Sequence, residues 1–268
     1  MRNLRTPTAL LLATIVGATA AHAQAPQASG GTASFDVASI KRNTLVGVET
    51  TLRVDPSGRL TAVGAPLIWL IAGAYGDAAG ALRPEQVVGA PSWLQSERYD
   101  ITAQVADANA LGEGATFITM RPSLRALLED RFKLQTHRES RQLPIYGLVR
   151  LGKSGGLGSG FSRSTVDCSK DQAKCGFRGG PVGRIKAEAI TSDILMQLLA
   201  NVSGRIVVDR TGLEGPFAVD LEWSQDQAAS DKPSIFTAVQ EQLGLKLEST
   251  RGPIDVLVID HVERPTPD

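Results

Sequence analysis

The sequence predicts an α+β protein made of two similar βαββαβ-type lobes, with helices packed on mixed sheets. Three observations carry this expectation. Residues 183–264 read strand, helix, strand, strand, helix, strand, with the cleanest hydrophobic periodicity in the chain. Residues 34–151 run through the same order with matching turn chemistry, which reads as an internal duplication. Between them, residues 152–182 are rich in Gly and Ser and nearly lack large apolar side chains, the composition of a linker or surface loop.

In the second lobe, residues 184–189 form the first strand. Thr191 is placed to cap a helix whose apolar residues Ile194, Leu195, Leu198, Leu199 and Val202 recur on one face. Ser203-Gly204 ends that helix, because glycine adopts the left-handed conformation of a helix C-terminus at low cost. Residues 206–208 are a strand and residues 209–215 a turn. Phe217, Val219, Leu221 and Trp223 alternate with Ala218, Asp220 and Glu222, as in a half-buried strand. Asp231 and Pro233 open a second helix with Ile235, Phe236, Val239 and Leu243 inward, closed by Gly244. Residues 254–262 are apolar at both parities and predict a central strand.

The first lobe begins with strands at 35–40, 50–54 and 59–65, the last two joined by the turn Asp55-Pro56-Ser57-Gly58. Pro66 starts a helix that is apolar on all sides through Tyr75, which predicts full burial. Residues 78–85 read as a loop, Val87-Val88 as a short strand and Pro91-Ser92-Trp93-Leu94 as a turn. Residues 99–105 are the next strand. Pro122 opens a helix with Leu124, Leu127, Leu128 and Phe132 inward, and residues 133–138 and 144–151 are expected to pair as a hairpin.

The 268 residues are 42% hydrophobic and 21% charged, an ordinary globular composition. Arg2 and Arg5, the apolar run 9–20 and Ala21-His22-Ala23 have the layout of a secretory signal peptide, with cleavage expected after Ala23. Residues 24–33 are then a disordered lead and 265–268 a tail. The apolar run falls short of the roughly 20 residues a membrane-spanning helix needs, and no later stretch is a candidate. The mature chain is therefore expected to be exported, periplasmic or extracellular, with no transmembrane segment. Its 26 basic and 28 acidic side chains give no basic footprint for nucleic acid.

Cys168 and Cys175, with six residues between them in an exported chain, are expected to form a local disulfide. The letters Gly147-x-x-x-x-Gly152-Lys153-Ser154 match a phosphate-binding loop, but Leu148-Val149-Arg150-Leu151 is itself a strand and no helix follows Ser154. The same missing helix rejects a nucleophile elbow at Ser154. His137 and His261 are the histidines left after cleavage, and no metal-ligand spacing surrounds them. Asp100, Asp220, Glu222 and Asp260 read as outward charge on half-exposed strands rather than as an acid/base pair. No catalytic, cofactor-binding or metal-ligating residue is assigned.

Leu127-Leu128-Glu129-Asp130-Arg131-Phe132-Lys133-Leu134, His137-Arg138-Glu139, Val208-Asp209-Arg210-Thr211-Gly212-Leu213, Leu221-Glu222-Trp223 and Gln240-Glu241-Gln242-Leu243-Gly244-Leu245 resemble an uncharacterised family of secreted proteins expanded in Solibacter-type acidobacteria. In some of its members a similar domain is joined to a membrane metallopeptidase of the beta-lactam-sensor type. The resemblance implies no catalytic residues. A weaker likeness is to the small βαββαβ modules at the N-termini of secretins and TonB-dependent transducers, which bind partners. The expectation is a non-enzymatic binding or sensing module of the cell envelope, its partner an envelope protein or ligand. The alternative is an extracytoplasmic hydrolase or a peptidase-associated regulatory domain. Partner contact is expected at two turns that follow Val-Val strands, through Trp93 and Leu94 in one and Arg210 and Leu213 in the other.

Overall fold

The computed structural model describes residues 35–45, 47–77, 80–111, 115–152, 156–225 and 231–265. The expected signal peptide and lead lie outside the described residues, as do Lys153 and Ser154. The fold is α+β with three sheets. One is antiparallel, ordered β1-β5-β3-β2, from β1 (Phe35–Asn43), β2 (Thr51–Val54), β3 (Arg59–Pro66) and β5 (Arg98–Val105). A second, also antiparallel, is ordered β7-β10-β8, from β7 (Phe161–Arg163), β8 (Arg184–Ile190) and β10 (Phe217–Glu222). The third is mixed and ordered β4-β11-β6-β9, from β4 (Val87–Val88), β6 (Gln135–Arg150), β9 (Val207–Asp209) and β11 (Leu245–His261).

The helices are α1 (Leu67–Ala74), α2 (Trp93–Ser96), α3 (Arg121–Arg131), α4 (Ser192–Ser203) and α5 (Ile235–Leu243). Setting aside the one-turn α2, the order β3-α1-β4-β5-α3-β6 recurs as β8-α4-β9-β10-α5-β11. The local signals act as read. The Thr191 hydroxyl accepts the Ile194 N–H at the start of α4, and Gly204 and Gly244 close α4 and α5 in left-handed conformation. Ser234, rather than Asp231, caps α5 by accepting the Thr237 N–H.

The mixed sheet joins the two halves. β6 and β11 pair antiparallel from Gln135–His261 to Arg150–Leu245, a ribbon about 50 Å long. The short strand of each half pairs with the long strand of the other: Val87 and Val88 lie beside Leu257 and Val258, and Val207 and Val208 beside Tyr146 and Gly147. Each hydrophobic core therefore includes residues from the opposite half. Leu257 and Ile259 belong to the core of α1, α3 and the first sheet; Leu148 belongs to the core of α4, α5 and the second sheet. The described residues all belong to one compact unit.

Four expectations are corrected. The hairpin of 133–138 with 144–151 is a single strand, because Ser140-Arg141-Gln142-Leu143 has no Gly, Asn or Asp to supply a tight turn. Pro144 and Pro253 stand opposite Arg251 and Gln142, two rungs apart, so one register accommodates both rings where no N–H is demanded. Residues 152–182 are not only a linker, since β7 pairs with β10 and the N–H groups of Gly158 and Gly160 bond to the Leu243 and Gln242 carbonyls. Pro91-Ser92-Trp93-Leu94 leads into α2 rather than closing as a simple turn. Helix α1 is not buried all round, for Trp69 is 61% exposed.

Candidate functional site

The four residues expected to contact a partner are placed apart. β4 and β9 are the opposite edges of the mixed sheet; β4 lies beside β11 at Leu257, whose β6 partner is Arg138, and β9 lies beside β6 at Gly147, nine residues and about 30 Å farther along the ribbon. Leu94 is completely buried and Trp93 half-buried against the first core. The Arg264 guanidinium lies 4.8 Å from the centre of the Trp93 ring and bonds to Glu97 at 2.8 and 3.0 Å. Arg264 holds the Glu97 carboxyl below the usual carboxylate range, although partial desolvation opposes it and Tyr99 adds a bond at 3.0 Å. Burial and the Glu97 carboxylate push the Tyr99 hydroxyl up to about 12. The turn before β5 is thus a clamp on the C-terminal segment.

The second turn is also internally bonded. Asp209 Oδ1 accepts the Thr211 N–H at 2.8 Å and its hydroxyl at 2.7 Å, and Oδ2 accepts the Ser192 hydroxyl. Burial raises the Asp209 carboxyl, and these bonds outweigh it to leave the group below its ordinary value. Leu213 is half-buried against the second core. Arg210 is exposed and lies flat across the ribbon. A Cβ at Gly147 would come 3.1 Å from its Cδ, and one at Gly252 3.5 Å from Nη2. Glycine at 147 thus lets the side chain lie close to the backbone, whereas at 252 an added Cβ would be in ordinary contact with Arg210 and would collide with Ile145 instead.

The histidines are on the surface. His137 Nδ1 is 2.9 Å from both Asp260 oxygens, its Nε2 is 3.8 Å from Glu139, and the ring is 52% exposed. The Asp260 bond raises its pKa. His261 Nε2 meets Glu263 at 2.8 Å. Neither histidine lines any of the cavities described here, and among the described residues no three metal-ligating side chains cluster. Asp220 and Glu222 are held by Arg184, at 2.8 Å each, on the outer face of the second sheet. Asp100 accepts the Gly64 N–H and the Asn43 amide. These carboxylates are structural acceptors. Cys168 and Cys175 form the expected disulfide.

What the strand exchange does create is a cleft where the two halves meet. It has a volume of about 350 Å³ and is lined from one side by Asp77, residues 80–83 and Gln86 and from the other by α4, Ile206 and β9. Its floor is apolar, from Leu82, Met196, Ala200 and Val207, all nearly buried. Its rim is polar, with Asp77, Arg83, Asp193, Gln197, Asn201 and Asp209. The halves touch directly around it. Arg83 donates to the Asn201 side chain at 3.0 Å, and the Gln197 amide packs so closely on Gly80 that a Cβ there would collide with it. Arg121, itself buried, donates to the Asp77 and Gly80 carbonyls and fixes that loop from behind. The Asp193 carboxylate, in the first turn of α4, has no hydrogen bond or ion pair among the described residues.

Sequence reasoning missed this site. Residues 78–85 read as a loop, and Gln197 and Asn201 fall outside the apolar stripe named for their helix. No local signal marks the cleft, because its two walls come from segments more than 100 positions apart.

The comparisons give a family and no activity. Residues 69–262 match the family model "Protein of unknown function (DUF3738)". That match spans most of the chain, and the protein belongs to this family. No curated protein and no solved structure matches it.

Proposed function

We propose that the protein is a non-enzymatic binding module of the cell envelope, exported by its N-terminal segment, which holds a small ligand in the cleft between its halves. The observation that carries the reading is the cleft itself. Its volume falls at the lower end of small-molecule sites, and an apolar floor under a few convergent polar groups is what such sites share. The rim has three carboxylates and one arginine, and that arginine is already paired with Glu85 at 2.9 Å. An apolar body with a cationic head is the chemistry that fits.

No nucleophile with an adjacent base lines the cleft: the Ser192 hydroxyl donates to Asp209, whose lowered pKa makes it a poor proton acceptor. Support for export comes from Arg2, Arg5 and the apolar run that follows, and from the disulfide. The recurring element order supports descent from a duplicated half-module, in line with the likeness to envelope binding modules.

Native mass spectrometry of the protein purified from the envelope of its producing cells tests the reading. A small molecule retained by the wild type, released chemically unchanged, and absent from Ala200→Trp is the expected result. Conversion of the retained molecule on incubation would replace binding with catalysis. Equal retention by Ala200→Trp would place the ligand elsewhere.

A further inference from the structure

The outer face of the β7-β10-β8 sheet is a broad groove of about 750 Å³, far from any role in the cleft. Its floor is the outward side of three strands, and the loop closed by the Cys168–Cys175 disulfide walls it. Lining it are the cations Arg163, Lys174, Arg178 and Lys186 against two carboxylates, Glu188 and Asp220.

The balance of free charge is more one-sided than that count. Asp220 is taken up by Arg184, which grips both its oxygens at 2.8 and 2.9 Å, so Lys186 reaches it only at 3.6 Å and stays 69% exposed. The Arg163 guanidinium lies over Gly215 and makes no hydrogen bond or ion pair among the described residues. Arg178 donates through Nε and Nη2 to the Ala173 and Gln172 carbonyls, which holds its guanidinium at the rim. Lys174 is paired with Asp171 at 3.2 Å. Glu188 alone opposes the three remaining cations. Ser162, Ser164 and Thr165 add hydroxyls along one wall.

We propose that this groove is a second binding site, for an extended anionic polysaccharide. Charge selects a polyanion. The lining offers no aromatic face on which an uncharged sugar would stack. It also lacks the means of holding a peptide. The outward floor side chain Ala218 is small, Ala187 packs against the core beneath, and neither forms a side-chain pocket. The free edge of β8 is occupied at Ala189 by the disulfide loop, whose Gly176 N–H bonds to the Ala189 carbonyl at 2.8 Å, so a peptide cannot add there as a strand. What is left is a rigid, hydroxyl-bearing, cationic trough.

Isothermal titration with polygalacturonate, dextran sulfate, neutral dextran and poly-L-glutamate tests the proposal. Arg163→Gln/Lys186→Gln is the informative variant, since both side chains are exposed and it should melt like the wild type. The expected result is saturable binding of at least one acidic polysaccharide, weakened about tenfold in the variant and weakened by salt, with dextran silent. The tighter of the two acidic polymers identifies carboxylate or sulfate as the recognised group. Ala200→Trp should bind the polymer unchanged, which separates this site from the cleft. Equal or tighter binding of poly-L-glutamate, an unchanged double variant, or no binding of either acidic polysaccharide overturns the proposal.

Discussion

Asp209→Ala is the perturbation that best separates a turn that holds the fold from a turn that meets a partner. The carboxylate accepts three hydrogen bonds, one from Ser192 at the start of α4 and two from Thr211, and it is half-buried. Bonds to an ionised acceptor contribute more than neutral ones, and removing the acceptor strands the Thr211 N–H. The three share one acceptor and are not additive, so the expected loss is about 3 kcal/mol. In a body of this size that is a drop of about 6–12 °C in melting temperature. Asp209→Asn keeps one carbonyl acceptor for Thr211 and should lose about half as much. Arg210→Ala removes only a side chain lying over two glycines and should stay within about 0.5 kcal/mol. Urea unfolding of the three variants, with Ser192→Ala completing a double-mutant cycle, gives the numbers. The folded pKa of Asp209 is lowered, so its contribution is complete above the unfolded pKa and fades as pH falls toward the folded one. An Asp209→Ala variant as stable as wild type at neutral pH would refute this reading of the turn.

Glu97→Gln should lower the melting temperature by several degrees at neutral pH; the Glu97 pKa is lowered, so the gap between variant and wild type should close as pH falls below the ordinary carboxylate range. His137 titrates in the opposite sense: its pKa is raised by Asp260, so what it adds to stability is complete below the unfolded pKa and lost as pH rises through the folded one. A ¹⁵N NMR titration should place its midpoint above that of His137 in an Asp260→Asn variant. Replacing Cys168 and Cys175 by Ser should cost about 2 kcal/mol and expose residues 164–180 to limited proteolysis before any other described segment. Gly58→Ala should destabilise by more than about 1 kcal/mol, because Gly58 has φ +81° and an added Cβ would drive into Val105.

The local grammar of the chain was legible because its causes are local. Thr191, Gly204 and Gly244 end helices by their own side-chain or backbone chemistry, and the alternation of Phe217, Val219 and Leu221 shows the buried face of β10 directly. The order of elements and the disulfide followed from the same signals. What stayed hidden depends on partners distant in sequence. Nothing in Gln135–Arg150 reveals that it continues through Pro144, because the strand is permitted by the register of Leu245–His261, over 100 positions later. The exchange of β4 and β9 between halves is equally non-local, and so is the cleft that it forms. Trp69 shows the limit of periodicity: an apolar helix reads as buried, whatever the sheet leaves uncovered. The two turns look like interface by composition, and Trp93, Leu94 and Asp209 are also engaged by their own surroundings, which composition does not reveal.

The cleft between the halves is tested most directly by methyl NMR on protein labelled at Met196 and Leu82, which share its floor. Titration with n-hexylamine, n-hexanol and hexanoate should give saturable shifts of both methyl signals with the amine, weaker ones with the alcohol and none with the acid, and Ala200→Trp should abolish them. Shifts that follow hexanoate as readily as the amine, or that persist unchanged in Ala200→Trp, would contradict an acidic-rimmed binding cleft at this place.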